Sequence, residues 1–283
     1  MKTNVIRNMD CIQGMRNLPD NSIDLILVDP PYGITACQWD SIIPLEAMWE
    51  EVRRVIKDNS GIIFTTTQPF TSRLILSNVK KFKHELIWQK NRPTGFLNSK
   101  YAPLKSHENV LVFGNNGKIK YNPQLTHGHK ATNGARGKGH SPTFGPCGMR
   151  NTIGGNTTRH PITVVKFDSE RGFHPTQKPV GLFEYLIKTY SNENDIVLDF
   201  CMGSGTTALA CLKLNRKFIG YEISKEYCDI AEKRIEGWRN QTRLPSFGSS
   251  SSPPAPGQQE MENSDCKNPV MYCFECTESI GKT

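Results

Sequence analysis

The chain has 283 residues, of which 36% are apolar and 22% charged, enough for one large α/β domain with some material outside its core. No stretch approaches the ~18 consecutive apolar residues of a membrane span. The N-terminus lacks a charged and then apolar leader, and the nine cysteines are scattered without a disulfide-like framework, so reduced thiols in the cytoplasm are expected.

In chain order, Ile23 to Val28 is an apolar run broken only by Asp24 and is predicted to be a buried strand. Leu45, Met48, Trp49, Val52, Val55 and Ile56 follow helical spacing after Pro44. Gly61 to Thr67, Glu85 to Trp88 and Asn109 to Phe113 are rich in β-formers. Strands alternating with helices imply a mainly parallel sheet covered on both faces. Residues 114–172 break that rhythm with eleven glycines and few periodic apolar positions, which predicts an insert of irregular structure. Lys and Arg outnumber Asp and Glu by 35 to 27, and nearly all of the excess lies in this insert, where nine basic residues meet two acids. Such a patch suits a phosphate backbone, with Lys130, Arg136, Lys138, Arg150 and Arg159 as candidate contacts. Order is predicted to return near Phe173. A helical stripe runs over Leu182, Phe183, Leu186, Ile187 and Tyr190, followed by a strand over Ile196 to Phe200 and a helix over Thr207 to Leu214. A strand over Lys217 to Tyr221 and a last helix, capped by Ser224, complete the domain. The Ser/Pro/Gln-rich 243–283 is predicted to be a disordered tail.

Three constellations carry chemistry. Asp29-Pro30-Pro31-Tyr32 ends a predicted parallel strand, the place where α/β sheets bind ligands. The prolines fix the backbone and remove two N–H donors, leaving a rigid set of acceptors beside an aromatic face, suited to a planar amine donor. Asp199-Phe200-Cys201-Met202-Gly203-Ser204-Gly205-Thr206-Thr207 joins a strand to a helix. Gly203 and Gly205 would let backbone approach a ligand closely, and Glu222, one strand later, stands where a ribose diol is held in Rossmann-like sites. His174-Pro175-Thr176-Gln177-Lys178-Pro179 is a stiff segment in which Lys178 supplies a cation for a carboxylate.

Together these motifs resemble the DNA N4/N6 amino-methyltransferases that use S-adenosylmethionine. Asp-Pro-Pro-Tyr is similar to the catalytic motif of that family, and the 199–207 loop to its methionine-side cofactor loop, with Phe200 and Cys201 where Pro and Phe are usual. The 174–179 segment matches in full. Asn8-Met9-Asp10-Cys11 resembles the segment that contacts the cofactor's adenine, and Ser106 to Phe113 a late core strand. The catalytic motif precedes the cofactor loop, as in the circularly permuted beta class. Glu108-Asn109-Val110 and Pro146-Cys147 resemble motifs of cytosine carbon-5 methyltransferases, but they occur in the reverse order.

The resemblance implies a circularly permuted Rossmann-like α/β fold, with residues 1–113 and 173–242 as catalytic domain and 114–172 as the target-recognition insert. Asp29, Pro30, Pro31 and Tyr32 would be catalytic. Asp10, Cys11, Asp29, Lys178, Asp199, Phe200, Cys201, Gly203, Ser204, Gly205, Thr206, Glu222 and Ile223 would hold S-adenosyl-L-methionine, with no metal. The implied partners are double-stranded DNA in a nucleoid-associated setting, a second copy of the chain, and a cognate restriction enzyme. Asp at the head of the motif implies N6 of adenine as the target, in a base flipped out of the duplex. N4 of cytosine, or an amine of RNA or a small molecule, stays open at this point.

Overall fold

The computed structural model describes residues 1–34, 40–141, 143, 145–152, 154–170, 172 and 177–243. The tail from 244 onward, together with Phe173, His174, Pro175 and Thr176, lies outside the described residues.

The elements in chain order are β1 (Val5–Asn8), α1 (Cys11–Arg16), β2 (Ile23–Val28), α2 (Leu45–Val55), β3 (Ile56–Thr66) and α3 (Phe70–Ser77), then β4 (Phe82–Thr94) and β5 (Lys105–Gly114). After these come β6 (Ala135–Ser141), β7 (Gly145–Thr152), β8 (Val164–Lys166), α4 (Val180–Tyr190), β9 (Ile196–Asp199), α5 (Thr206–Lys213), β10 (Lys217–Glu222) and α6 (Lys225–Arg243). Eight of the strands form one sheet in the order β1-β10-β9-β2-β3-β5-β4-β8.

β2 explains why its apolar run is nearly unbroken. Leu25 and Leu27 face a core shared with Leu182, Phe183, Leu186 and Ile187 of α4 and with α5. Ile26 and Val28 face the other core, with Met15, Trp49, Val52 and Leu74 from α1, α2 and α3. A parallel strand covered on both faces needs apolar residues at both parities. The one exception, Asp24, sits at the start of the strand. It accepts from the Ile196 N–H at 3.1 Å and from Lys57 at 2.8 Å. Burial works against its ionisation, but these partners outweigh it and hold the carboxyl below its usual range.

From β1 to β3 every pairing is parallel, as the strand–helix alternation implies. Beyond β3 the sheet departs from that expectation: β5 pairs antiparallel with both β3 and β4. The reason is local, because only residues 95–104 join β4 to β5, too few for a parallel crossover. The insert is also more regular than its glycine content predicts. Its β6 and β7 form an antiparallel pair, and β8 adds to the free edge of β4, with Ile87 opposite Val164. The pairing is made by backbone N–H and C=O groups, which every residue but proline supplies in full, so composition gave no sign of it.

Candidate active site

Because β1, β10, β9 and β2 run parallel and adjacent, their C-terminal ends open on one side of the sheet. A cleft of about 720 Å³ lies there. Asp10, Cys11, Asp29, Pro30, Pro31, Tyr32, Lys178, Asp199, Phe200, Cys201, Gly203, Ser204, Thr206, Glu222 and Ile223 all line it. The sequence places these residues as far apart as 10 and 223; the pairing of β1 with β10 and of β2 with β9 brings them together.

At the end of β2, Asp29 is held by three donors. Its Oδ1 accepts from the Tyr32 hydroxyl at 2.6 Å and from the Thr65 hydroxyl of β3. Its Oδ2 accepts from Lys178 Nζ at 2.7 Å. A carboxylate offers about four acceptor sites, so one remains for an incoming N–H. Lys178 is buried, lies 3.4 Å from Glu108 Oε2 and sits 5.5 Å from the Tyr32 ring centroid. Glu108 in turn pairs with Lys90 at 2.8 Å. Alternating charges thus run Lys90–Glu108–Lys178–Asp29. Burial disfavours the charge on Lys178, but Asp29 and Glu108 more than offset it and its pKa is raised. Burial likewise opposes ionisation of Glu108, yet Lys178 and Lys90 bring its carboxyl below the usual range. Within the protein, the carboxylates that Lys178 meets are those of Asp29 and Glu108.

The turn after Asp-Pro-Pro-Tyr is fixed by Asp40. Its Oδ1 accepts from the backbone N–H of Tyr32 at 2.7 Å and of Gly33 at 2.8 Å, and its Oδ2 from Ile34 at 2.9 Å. With Pro30 and Pro31 donating nothing, one side chain takes the next three donors and leaves the Tyr32 ring packed at 5.7 Å from Phe70.

The other half of the cleft follows β9 and β10. Asp199 is buried, and accepts from the Cys201 N–H at 3.0 Å and from the Thr207 hydroxyl. Burial pushes its carboxyl up to about 7 even though those two hydrogen bonds pull it down. Glu222 bridges the cofactor-loop candidate to the last helix: its carboxylate accepts from the Gly203 N–H at 2.7 Å and the Ser224 N–H at 2.8 Å. Burial raises its pKa against the pull of those N–H groups. The two glycines of the loop separate in role. Gly203, at φ +52°, lines the cleft, and a Cβ there would meet nothing within 4 Å. Gly205, at φ +83°, is not among the cleft-lining residues; a Cβ there would stand 2.9 Å from the Cβ of Ala231 in α6. Gly205 thus lets α6 pack on the start of α5.

Cys11 and Cys201 line the cleft, but burial raises both thiols, Cys11 to about 11, with the Asp10 charge adding to the effect. Neither is poised as a thiolate nucleophile. Phe200 is buried against Phe64, at 6.2 Å between ring centroids.

Of the expected phosphate contacts, Lys130 is exposed. Arg159 donates to the carbonyls of Asn156 at 3.0 Å, Thr158 at 2.8 Å and Lys130, so it ties the insert's own backbone together. Arg136, Lys138 and Arg150 lie on β6 and β7, and their side chains are outside the described residues.

The family model for N6/N4 DNA methylases matches residues 23–233. The chain belongs to this family. Type II methyltransferase M.BglII of Bacillus subtilis is 31% identical to this methylase over 263 residues, covering 83% of this chain and 69% of its own. Type II methyltransferase M1.MboII of Moraxella bovis is 28% identical over 254 residues, covering 82% and 96%. Among solved structures, the complex of M1.HpyAVI with SAM is 26% identical with a TM-score of 0.55, over 81% of this chain and 98% of that one. The Rossmann-like methyltransferase fold expected from the motif order is thus established.

Asp40, Thr65, Lys90 and Glu108 are the site residues that sequence reasoning missed. Asp40 and Lys90 stand alone in irregular or alternating stretches, and Thr65 sits in a run of three threonines. Glu108 had a signal, since it falls in the Ser106–Phe113 segment that resembles a family strand; what it lacked was a partner within reach in sequence.

Proposed function

We propose that this methylase transfers a methyl group from S-adenosylmethionine to the exocyclic N6 amine of adenine in DNA, acting on a base swung out of the duplex. The reading rests on Asp29: it lines the cleft, and three donors, Tyr32, Thr65 and Lys178, leave one of its about four acceptor sites over. An exocyclic amine is a weak nucleophile because its lone pair is delocalised into the ring. When Asp29 and the Pro30 carbonyl each accept one amine hydrogen, the nitrogen is drawn toward tetrahedral geometry and its lone pair becomes available. These acceptors also face the positive charge that develops on nitrogen during transfer. Tyr32, held by its own hydroxyl, offers a face on which the base stacks.

The residues at the other end of the cleft fit the cofactor. Glu222 presents a buried carboxylate suited to a hydroxyl pair, Gly203 leaves open space above its backbone, and Asp199 is an acid whose charge a cationic methionine end would favour. When bound, the cofactor supplies an activated methyl group. Asp at the head of the motif supports adenine over cytosine. The decisive assay methylates unmodified duplex DNA with tritiated cofactor, digests it to nucleosides and separates them. Label in N6-methyldeoxyadenosine, abolished by Asp29→Asn with cofactor affinity retained, is expected. Label in N4-methyldeoxycytidine would reverse the choice of base, and near-normal turnover by Asp29→Asn would remove the mechanism.

A further inference from the structure

The connection between β4 and β5 is unusual for a surface turn. A 3-10 turn at Phe96–Asn98 follows Gly95, which adopts φ +92°. Within it Phe96 is 65% exposed and Leu97 98%, and Tyr101 just beyond is 88% exposed. The turn is hydrogen-bonded: Asn98 N–H donates to the Gly95 carbonyl at 3.0 Å, Ser99 to Phe96 at 3.1 Å, and Tyr101 and Ala102 to Asn98 at 2.9 Å. Three large apolar side chains are therefore held in water by an ordered backbone. Single exposed apolar residues need no explanation, but a cluster does.

Its surroundings point to the occupant. The stem of the turn reaches the cleft, for Thr94 and Lys105 pair across it and both line the cleft, with His107 beside them. No acid occurs from Gln89 to His107, while Arg92, Lys100 and Lys105 are exposed on the same segment. A second copy of the chain would bring two such basic rims together. A polyanion with an apolar interior accepts both features, the phosphates meeting the cations and the base stack the apolar tip. We propose that Phe96 and Leu97 form a wedge that enters duplex DNA beside the target base and occupies the space it leaves, with Arg92 and Lys100 on the flanking phosphates. This rests on the reading of the chain as a methylase of duplex DNA, and it places a DNA contact outside the 114–172 insert.

The test uses the full chain and a double variant, Phe96→Ser with Leu97→Ser; both positions are exposed, and thermal unfolding checks that the fold is kept. Plasmid DNA from cells expressing the parent is sequenced for methylation to locate the target. A parent that leaves the plasmid unmethylated would remove the underlying reading, and the wedge with it. Two synthetic duplexes then carry the located site, one fully paired and one with an abasic position opposite the target base. The double variant is expected to methylate the paired duplex at least ten-fold more slowly than the parent. On the abasic duplex, where the base is already unpaired, it should come within three-fold of the parent, with unchanged cofactor affinity. Equal loss on both duplexes would make the turn a general contact and overturn the wedge. No loss on either would overturn it too.

Discussion

Substituting alanine at Gly203 and at Gly205 should have opposite consequences, although the two lie two residues apart in one loop. Both are at positive φ, +52° and +83°, where an L side chain costs about 1–2 kcal/mol. At Gly205 the added methyl would also stand 2.9 Å from Ala231 Cβ and 3.2 Å from its Cα. Overpacking of that kind against backbone costs about 1–3 kcal/mol. The combined penalty for Gly205→Ala is therefore about 3 kcal/mol, which lowers Tm by ~6–12 °C in a domain of this size. At Gly203 a Cβ meets nothing within 4 Å, so Gly203→Ala should lose only the backbone part. Gly203 lines the cleft, however, so under the proposed function its methyl takes cofactor space, and affinity for S-adenosylmethionine should fall at least ten-fold. Thermal unfolding without ligand and calorimetric titration of the cofactor separate the two effects. If Gly203→Ala is as destabilised as Gly205→Ala, or if Gly205→Ala unfolds at the parent's temperature, the division of labour in the loop is wrong.

Glu108→Gln removes a charge that supports the Lys178 cation, so the Lys178 pKa should fall and the alkaline limb of the pH–kcat profile should move to lower pH, with cofactor affinity unchanged; an unmoved limb would show that Glu108 acts only in packing. Asp199 has a folded-state pKa of about 7 against an ordinary 3.8, so its ionisation destabilises the fold. The penalty is absent below about pH 4, grows as pH rises toward 7 and is complete above it, at up to roughly 4 kcal/mol. Asp199→Asn should therefore gain stability over the parent at pH 8 but not at pH 4, as read from urea midpoints, and a pH-independent difference would contradict this. Glu222→Ala should weaken cofactor binding by ~1.5–3 kcal/mol, the scale of a hydrogen bond to a charged group; an unchanged dissociation constant would leave Glu222 as a brace between Gly203 and Ser224.

What could be read from sequence follows from what is local. β2 and the helix stripes were legible because burial on a periodic face writes itself into residue order. Most of the residues that line the cleft were legible as motifs, each a short stretch whose backbone must take one shape. The antiparallel turn of the sheet at β5 was not, because the missing helix between Trp88 and Asn109 is an absence rather than a pattern. Lys90, Glu108 and Lys178 form a network only after β4, β5 and the segment before α4 converge; each looks like an isolated charge along the chain. Asp40 braces Tyr32, Gly33 and Ile34 from several residues away along the chain, and no spacing announces that.

The pairing of β2 with β9 has a bearing on synthesis. Once the first 114 residues have left the ribosome, β2, β3, β5 and β4 can associate, but the edge of β2 that will meet β9 carries unpaired backbone groups. That edge stays open until Ile196 to Asp199 emerges, and the cleft is incomplete before then. A parallel strand edge left waiting over so long a stretch of translation invites pairing with other nascent chains. The Asp-Pro-Pro-Tyr segment is therefore present in the nascent chain long before the cleft around it is complete, and a prematurely ended chain would carry Asp29 and Tyr32 without the half of the cleft that β9 and β10 build.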